Sequence, residues 1–292
     1  MQEQQTRDLE WGWSDSPILL PLAYQPREWN AVFVAMHIAE YCGAILFIYH
    51  ARLKNESISE TFRQEVRSLA DKLRIRVSFV DEDATDDSFD SISRMIITAA
   101  LKHNAQAIIM SAHKEGFFRE LVGRVSDRVA QRNPLKTVLV ETPDPSIKIT
   151  SSPSKIAVLV KPGTEPKDAF VLAAALTSLA TTPDAELIAA QAILLPQTVP
   201  VEAIEYSNEI KLMERRFAET ISIVIKNLGR MFSPRVLASR QLGKDIADFV
   251  IKEKIDILIL TGHKRNLISG LFGTDTKDIV GNAPCVSLIV FS

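Results

Sequence analysis

The chain has 292 residues, about the length of two ordinary domains. Apolar residues make up 46% of it and charged residues 24%, so each half can bury a hydrophobic core without disulfides or metals. The formal net charge of −2 gives no electrostatic case for binding nucleic acid or an acidic membrane surface.

The terminal segment and the cysteines indicate a cytoplasmic location. No run approaches the roughly 18 apolar residues of a membrane span, so no direct membrane insertion is expected. The polar arm, residues 1–15, lacks the basic start and apolar stretch of a signal peptide. Its Trp11 and Trp13 either cover an apolar patch of the body, or mark a docking point for a partner or a membrane-proximal linker. Cys42 and Cys285 lie in apolar stretches without metal-ligand spacing, and we interpret both as reduced core thiols.

In the first half, short apolar runs alternate with helical patterns. The predicted strands are 17–23, 44–50, 76–80, 107–110 and 137–141. The predicted helices are 28–43, 57–73, 91–103 and 120–131. The run AILFIYH at 44–50 is typical of a strand that is buried on both faces.

One segment interrupts this alternation. Residues 81–90, DEDATDDSFD, carry six carboxylates and have no counterpart of similar length in the second half. They lack the Gly and the closing Glu of a calcium loop, so we predict a solvated acidic loop. Its Asp and Ser residues suit the start of the following helix.

The second half repeats the order of the first. The predicted strands are 156–160, 186–192, 235–239, 257–260 and 286–291, and the helices are 166–180, 200–229, 243–254 and 273–281. Because strands alternate with helices, each half is predicted to form a doubly wound α/β domain with a five-stranded parallel sheet flanked by helices. Three prolines within 141–155 mark the boundary, giving domains at 16–142 and 154–292 joined by a linker at 143–153.

The end of each half contains the same pattern. Residues 105–141 and 255–291 align without a gap, with His113-Lys114 on His263-Lys264, Gly123 on Gly273 and Pro134 on Pro284. Each copy reads as strand, His-Lys loop, Gly, helix, Pro and strand. A repeat of this length indicates two duplicated domains rather than a solenoid of short units.

In the second copy, the loop after the fourth strand has the parts of a phosphate site. Ligands of doubly wound sheets bind at the carboxyl ends of the strands. Gly273 and Thr274 open a helix, whose free N–H groups and dipole favour an anion. Alternatively, Thr274 is an ordinary helix N-cap. The candidate binding residues are Gly262, His263, Lys264, Arg265, Gly273, Thr274 and Thr276.

The first copy is the weaker candidate. Arg124 replaces the Thr, and Glu115 stands where the second copy has Arg265. Glu115 and Glu120 would repel a polyphosphate, although Ser126 keeps a hydroxyl. His113 and His263 have no further ligand at metal-binding spacing, so we interpret them as structural and predict no metal site.

Two tandem five-strand α/β domains, each ending in strand, loop, Gly, helix, Pro and strand, resemble a tandem universal stress protein. The resemblance covers nearly the whole chain and implies an adenine nucleotide α-hydrolase-like fold. Nucleotide-binding members of that family carry G-x2-G-x9-G-(S/T) in this loop and an Asp at the end of strand one that contacts the adenine. The resemblance therefore implies ATP or another adenine nucleotide as the ligand of domain 2.

This chain departs from the family motif. Only Gly273-Thr274 matches cleanly, and Lys264 and Lys114 stand where the second Gly of the motif would let backbone approach phosphate. The position of the strand-one Asp falls on Lys161 in copy two and on Ala23 in copy one. We therefore expect at most a weak nucleotide site in domain 2 and a degraded site in domain 1.

The expected function is that of a non-enzymatic regulatory protein of the universal stress class, acting in the stress response. The family resemblance implies pairing of the last strands, TVLVE and SLIVF, within one chain, and a homodimer of two such chains. One alternative is a cytoplasmic regulatory module of a membrane transporter. Another is an ATP-using enzyme of the nucleotide-binding α/β class, but the loops LAYQPREW and VKPGTEPK lack its phosphate-binding motifs.

Overall fold

A computed structural model describes residues 13–54, 59–112, 125–144, 146–149, 153–160, 166–177, 185–195, 208–226, 228–262 and 274–291. The chain divides into two compact units. The first comprises Met1–Thr150 together with Ile289–Ser292, and the second comprises Ser151–Leu288. The division after residue 150 falls within the segment 143–153 that the prolines predict as a linker.

Unit 1 alternates strands and helices as its apolar pattern predicts. Its elements are β1 Ile18–Pro21, α1 Trp29–Cys42, β2 Leu46–Arg52, α2 Glu60–Leu73, β3 Val77–Asp83, α3 Phe89–Lys102, β4 Ala107–Ala112, α4 Val125–Arg132 and β5 Lys136–Glu141, with a 3-10 turn at Pro26–Glu28. The strands lie in the order β3-β2-β1-β4-β5, and their pairings are parallel.

The second copy has the same order of elements. They are β6 Lys155–Val160, α5 Lys167–Thr177, β7 Glu186–Leu194, α6 Asn208–Lys226, β8 Ser233–Ser239, α7 Leu242–Glu253, β9 Ile257–Gly262, α8 Thr274–Asn282 and β10 Val286–Phe291. Its strands lie in the order β10-β9-β6-β7-β8. The predicted fold class, two doubly wound α/β halves with five strands each, is confirmed. The predicted helix 200–229 is described only over Asn208–Lys226, so its start near Pro200 lies outside the described residues.

The central strands form the core. Ile18, Leu19 and Leu20 of β1 have no exposed surface, and neither do Leu258 and Ile259 of β9. Helices on both faces of a parallel sheet bury these side chains from both directions, which explains why the strands read as unbroken apolar runs. Among the described helices, none is long and apolar enough to cross a membrane.

The start of unit 1 packs at the amino end of its sheet. Trp13 is buried, and its ring lies 5.3 Å from Lys136 Nζ. The Ser14 N–H donates to Gln106 Oε1, and Gln106 Nε2 donates to the carbonyls of Ser14 and Ser16. The interpretation that these tryptophans cover the body is confirmed for Trp13, whereas Trp11 lies outside the described residues.

The two cysteines differ in their surroundings. Cys285 is buried, and desolvation raises the pKa of its thiol to about 12, so it stays protonated at neutral pH. Cys42 ends α1 and is only half-buried. Both are free, but the prediction of a core position is confirmed for Cys285 alone.

The prediction for the acidic segment is wrong at its start, because β3 extends through Asp83. β3 is an edge strand of its sheet, where polar side chains still reach partners or solvent. Arg63 Nη2 lies 3.3 Å from Asp81 Oδ2. Glu82 accepts from Tyr49 Oη at 3.0 Å and pairs with Lys102 Nζ at 3.2 Å. The exposed loop is therefore limited to 84–88.

The segment also starts the next helix, as predicted. Ser88 Oγ accepts the Ser91 N–H and caps α3. Asp90 in the first turn then holds α4 through Arg128 Nη1 at 2.7 Å and Arg132 Nη1 at 2.5 Å. Arg94 adds a third contact at 2.7 Å. The Arg132 hydrogen bond is the main reason that the pKa of Asp90 lies below its usual range.

We predict that Asp90→Asn lowers the stability of unit 1 at neutral pH and that the loss disappears in acid. A carboxylate with a depressed pKa stabilises the fold above its unfolded pKa of about 3.9, and this contribution is lost as pH falls through the folded pKa. Tryptophan fluorescence reports unit 1, because all three tryptophans, Trp11, Trp13 and Trp29, precede residue 150.

The matched control is Asp87→Asn, an exposed aspartate in the neighbouring loop. Its thermal midpoint should stay close to that of the parent at every pH. Equal midpoints for the Asp87 and Asp90 variants at pH 7 would contradict a structural role for the Asp90–arginine cluster.

Candidate functional site

Each copy has a point where the strand order reverses. In unit 2, β6 pairs with β7 on one side and with β9 on the other. In unit 1, β1 lies in the same way between β2 and β4. Ligands of doubly wound sheets bind at the carboxyl ends of the two strands that flank this reversal. The relevant ends are Val160 and Gly262 in unit 2 and Pro21 and Ala112 in unit 1.

The predicted site residues of unit 2 are described only in part. Gly262 is the last residue of β9, and Thr274 is the first residue of α8, so both border the predicted loop. His263, Lys264, Arg265 and Gly273 lie outside the described residues, as do His113 and Lys114 of the first copy. The grouping of these residues around a ligand stays a prediction.

Thr276 is buried, with 4% of its surface exposed. Its counterpart in the gap-free alignment, Ser126, is buried as well, at 5%. Because the copy without Gly-Thr buries a hydroxyl at the same place, this burial belongs to the shared fold. The role of Thr276 in ligand binding stays a prediction.

The position of α8 depends on a close approach to α7 at Gly243. A Cβ on Gly243 would lie 2.8 Å from the carbonyl carbon of Asp278 and 2.9 Å from its carbonyl oxygen. Real Cβ atoms do not approach backbone so closely, so only glycine fits here. In unit 1, Arg128 of α4 lies 2.7 Å from Asp90 of α3, an ion pair that links the two corresponding helices. Extending the gap-free alignment back from residue 105 places Ser93, which is fully buried, at the position of Gly243.

In unit 1, backbone N–H groups that follow β1 are already hydrogen-bonded to a side chain of the same unit. The Glu28 carboxylate accepts the Ala23 N–H at 3.0 and 3.1 Å and the Gln25 N–H at 2.9 Å. Ala23 is the position where the family motif has its adenine-contacting Asp. A buried carboxylate already bound to these N–H groups disfavours a phosphate or a second carboxylate nearby.

Tyr24 fills the space beside this loop. Its backbone is left-handed, with φ of 55°, and 2% of its surface is exposed. The ring packs edge-on against His50 at 5.1 Å and Phe62 at 6.2 Å between centroids. Desolvation raises the pKa of Tyr24 to about 12, so the ring acts as a neutral packing group.

The segment after β5 closes the same edge. Asn30 Nδ2 donates to Thr142 Oγ1 at 3.0 Å and to the Ile147 carbonyl at 2.8 Å, and Asn30 Oδ1 accepts the Ile149 N–H. Trp29 Nε1 donates to the Ile149 carbonyl at 3.3 Å. The start of α1 therefore holds part of the predicted linker.

Unit 2 lacks the Glu28 carboxylate at the corresponding position. When the starts of α1 and α5 are aligned, Pro166 stands where unit 1 has Glu28. Proline has no carboxylate. Pro166 therefore cannot accept hydrogen bonds from the preceding backbone N–H groups as Glu28 does in unit 1. Sequence reasoning missed Glu28, although Glu two residues after Pro26 is a recognisable helix-start signal.

No metal centre emerges from the described ranges. Among them, no group of three or more His, Cys, Asp or Glu side chains is placed to hold an ion.

The chain is similar to known proteins in its structure, whereas comparisons of its sequence found no match. No family model matches the chain, and no curated protein matches it significantly in sequence. A universal stress protein of Archaeoglobus fulgidus has a TM-score of 0.57 at 12% identity, with 95% of this chain and 96% of that chain covered. A Pseudomonas aeruginosa structure assigned to the same family has a TM-score of 0.55 at 16% identity, with 96% and 94% covered.

A third similar structure comes from a transport protein. The cytoplasmic domain of a prokaryotic cation chloride cotransporter has a TM-score of 0.56 at 11% identity, with 95% of each chain covered. At these identities the similarity concerns the fold. The predicted resemblance to a tandem universal stress protein is confirmed at that level over nearly the whole chain.

We predict that Gly243→Ala destabilises unit 2 by about 1–3 kcal/mol, because the added methyl overlaps the Asp278 backbone. Helix propensity alone would predict the opposite, a gain of about 1 kcal/mol from replacing glycine in a helix. The measurement is chemical denaturation followed by circular dichroism, with tryptophan fluorescence as the internal reference for unit 1. The control is Lys244→Ala, the exposed neighbour, which should change stability by less than about 0.5 kcal/mol. A stabilised Gly243→Ala protein would contradict the close-contact explanation.

Proposed function

We propose that this chain, which has the fold of tandem universal stress proteins, is a non-enzymatic regulatory protein with one weak adenine nucleotide site, in unit 2. The observation that carries the proposal is the asymmetry at the strand-order reversal. In unit 1 the Glu28 carboxylate occupies the backbone N–H groups after β1. In unit 2 the corresponding residue is Pro166.

The residues proposed to hold the nucleotide in unit 2 are those at the start of α8 and in the loop before it. Gly273 and Thr274 would offer N–H groups and a hydroxyl to phosphate. Lys264 and Arg265 would add positive charge, with Lys264 acting as a point charge where the family motif has glycine. A side chain at that position keeps the phosphate from close backbone contact, which is why we propose weak binding.

The absence of a readable catalytic arrangement supports a regulatory role. The sequence has no Walker A loop, no nucleophile elbow and no HExxH motif. In unit 1, the polar groups at the carboxyl edge are tied to the fold: Glu28 holds backbone, and Asn30 holds the segment after β5. We therefore propose that nucleotide binding changes association with a partner rather than starting a reaction.

We propose that the protein works in the cytoplasm as a homodimer in which each chain pairs its own two halves. The last strand of each half, β5 and β10, consists largely of buried residues. Apolar edge strands need a cover, and pairing with another strand supplies one.

A second candidate role is that of a cytoplasmic regulatory module that works with a membrane transporter. It is supported by the full-length structural similarity to the cotransporter's cytoplasmic domain. Detection of the native protein in membrane fractions, released only by detergent, would favour this role over that of a free regulator.

The test is calorimetric titration of the full chain with ATP, ADP and AMP. We expect a single site with a dissociation constant on the order of 0.1–1 mM. Thr274→Arg, which introduces the residue of copy one, and Gly273→Val should each weaken binding at least about tenfold by blocking the helix start. No binding heat at about 10 mM nucleotide, from protein that is folded by circular dichroism, would overturn the nucleotide site.

The matched control is the reverse change in unit 1, Arg124→Thr. It should not create a second site, because Glu28 still occupies the backbone donors there. ATP hydrolysis above background that disappears in Gly273→Val would overturn the non-enzymatic assignment.

A further inference from the structure

The outer edge of the unit 1 sheet is open in the part of the chain that the structure describes. β3 is the outermost strand of the order β3-β2-β1-β4-β5, and it pairs there with β2 alone. An edge strand presents unpaired backbone N–H and C=O groups to any strand that can reach them. β3 contains no proline, so none of its backbone N–H groups is missing. The outer strand of unit 2, β8, is a poorer edge for pairing because Pro234 has no N–H.

The middle of β3 offers apolar surface with little net charge. Its apolar residues are half-buried, and they are Val77, Phe79 and Val80. The guanidinium carbons of Arg63 and Arg67 lie 4.7 and 4.9 Å from the centroid of the Phe79 ring. Both cations have carboxylate partners in the same unit, Asp81 at 3.3 Å and Glu60 at 3.8 Å. A neighbouring strand would therefore cover apolar surface here without bringing unpaired cations together.

The amino end of this edge carries excess positive charge. Along the segment 71–76, three exposed cations stand beside one exposed carboxylate, Asp71, and they are Lys72, Arg74 and Arg76. Arg76 Nη2 donates to the Gly43 carbonyl at 3.4 Å, a contact that leaves the charge of the guanidinium in place. Three cations against one carboxylate leave two positive charges in excess on this segment.

The carboxyl end carries excess negative charge. Along the segment 81–87 there are five carboxylates and no cation, and the carboxylates are Asp81, Glu82, Asp83, Asp86 and Asp87. The first three have cation partners in the same unit, which are Arg63, Lys102 and Arg52. When these three cations are counted, two negative charges remain in excess. Asp83 has 81% of its side chain exposed, and Asp86 and Asp87 are exposed as well.

This sequence of positive, apolar and negative segments decides how two β3 edges can meet. Side by side in parallel, they would place cations against cations and carboxylates against carboxylates. Antiparallel pairing across a two-fold axis places each basic end against the acidic end of the other copy, and it does so twice. Charged edges normally prevent sheet-to-sheet pairing, but charges separated by sign along one strand prevent only the parallel arrangement.

One register brings these groups directly opposite each other. A two-fold axis perpendicular to the sheet keeps both copies of a residue on the same face, so the axis passes through a residue of β3. With the axis at Phe79, that ring lies opposite its own copy, and Arg76 lies opposite Glu82 of the second copy. Arg76 and Glu82 are both an odd number of residues from Phe79, so their side chains share a face.

We propose that the β3 edge of unit 1 pairs antiparallel with the β3 edge of a second copy of this chain, across a two-fold axis at Phe79. The contact is isologous, so it closes as a dimer and leaves neither β3 edge open. The proposal names a surface for the homodimer put forward under the proposed function and rests on it in that respect. It does not depend on nucleotide binding.

The experiment is sedimentation velocity of the full chain over a range of concentrations, at about 20 mM and about 500 mM salt. We expect a dimer that weakens as salt rises, because part of its attraction comes from exposed charges. An amino-end variant, Arg74→Glu with Arg76→Glu, has excess negative charge at both ends of the edge. A carboxyl-end variant, Asp83→Lys with Asp87→Lys, has excess positive charge at both. Each variant alone should dimerise at least about tenfold more weakly than the parent at low salt.

The two variants also test the pairing directly. Their mixture should form a heterodimer at low salt, and the chain with all four changes should dimerise like the parent, because both restore unlike ends. The control is Arg235→Glu with Lys244→Glu in unit 2, which makes the same change in net charge as the amino-end variant, also at exposed positions. It should dimerise like the parent.

Chemical cross-linking tests the orientation and the register. In a Cys42→Ser background, Phe79→Cys should link to its own copy through a short bis-maleimide, because the residue lies on the axis. Val77→Cys should not link to itself, but it should link to Asp81→Cys in a mixture of the two variants. Native Cys285 is buried and should not react. Self-linking of Val77→Cys as strongly as Phe79→Cys would overturn the antiparallel arrangement.

Two sedimentation results would overturn the proposal in different ways. A parent that stays monomeric at low salt and about 100 µM chain would overturn both the homodimer and this surface. A parent dimer that persists unchanged in both folded edge variants would overturn this surface alone and leave a homodimer formed elsewhere. Failure of the folded variants to associate in the mixture, or loss of the dimer in the unit 2 control, would also overturn the β3 surface.

Discussion

The crossing of the last two helices of each copy is the contact on which the rest of the site depends. In unit 2 the last of these helices is α8, which begins at Thr274 directly after the candidate ligand loop. Its packing against α7 therefore fixes the position of the end of that loop. Unit 2 makes the crossing through a bare glycine, with Gly243 against the backbone of Asp278. In unit 1, ion pairs between Asp90 and two arginines of α4 also link the corresponding helices.

A second divergence separates the copies at the end of their first strands. Glu28 binds the backbone there in unit 1, Tyr24 fills the adjoining space, and Asn30 draws in the segment after β5. Each contact stabilises the fold of unit 1 and also occupies groups that a ligand would need. We therefore propose that unit 1 is the half less suited to nucleotide. The proposed role follows from this difference between structural and ligand contacts, because Pro166 stands in unit 2 where unit 1 has Glu28.

The order of strands and helices could be predicted because long apolar runs and amphipathic periods survive in both copies. The end of β3 could not, since Asp81 to Asp83 look like a loop until Arg63, Tyr49 and Lys102 are placed around them. The contacts of Glu28, Tyr24 and Asn30 could not be predicted for a similar reason. They depend on how the folded chain brings segments together rather than on a local sequence pattern. The candidate ligands from His263 to Arg265, with Gly273, were found from the repeat and stay predictions.

The central claim is that the two copies have diverged into one structural half and one half that keeps a weak nucleotide site. Its most direct measurement is a crystal structure of the full chain soaked with an ATP analogue. We predict nucleotide density between the ends of β6 and β9, beside the start of α8, with the space after β1 still filled by Tyr24 and Glu28. Equal nucleotide occupancy in both units would contradict the account.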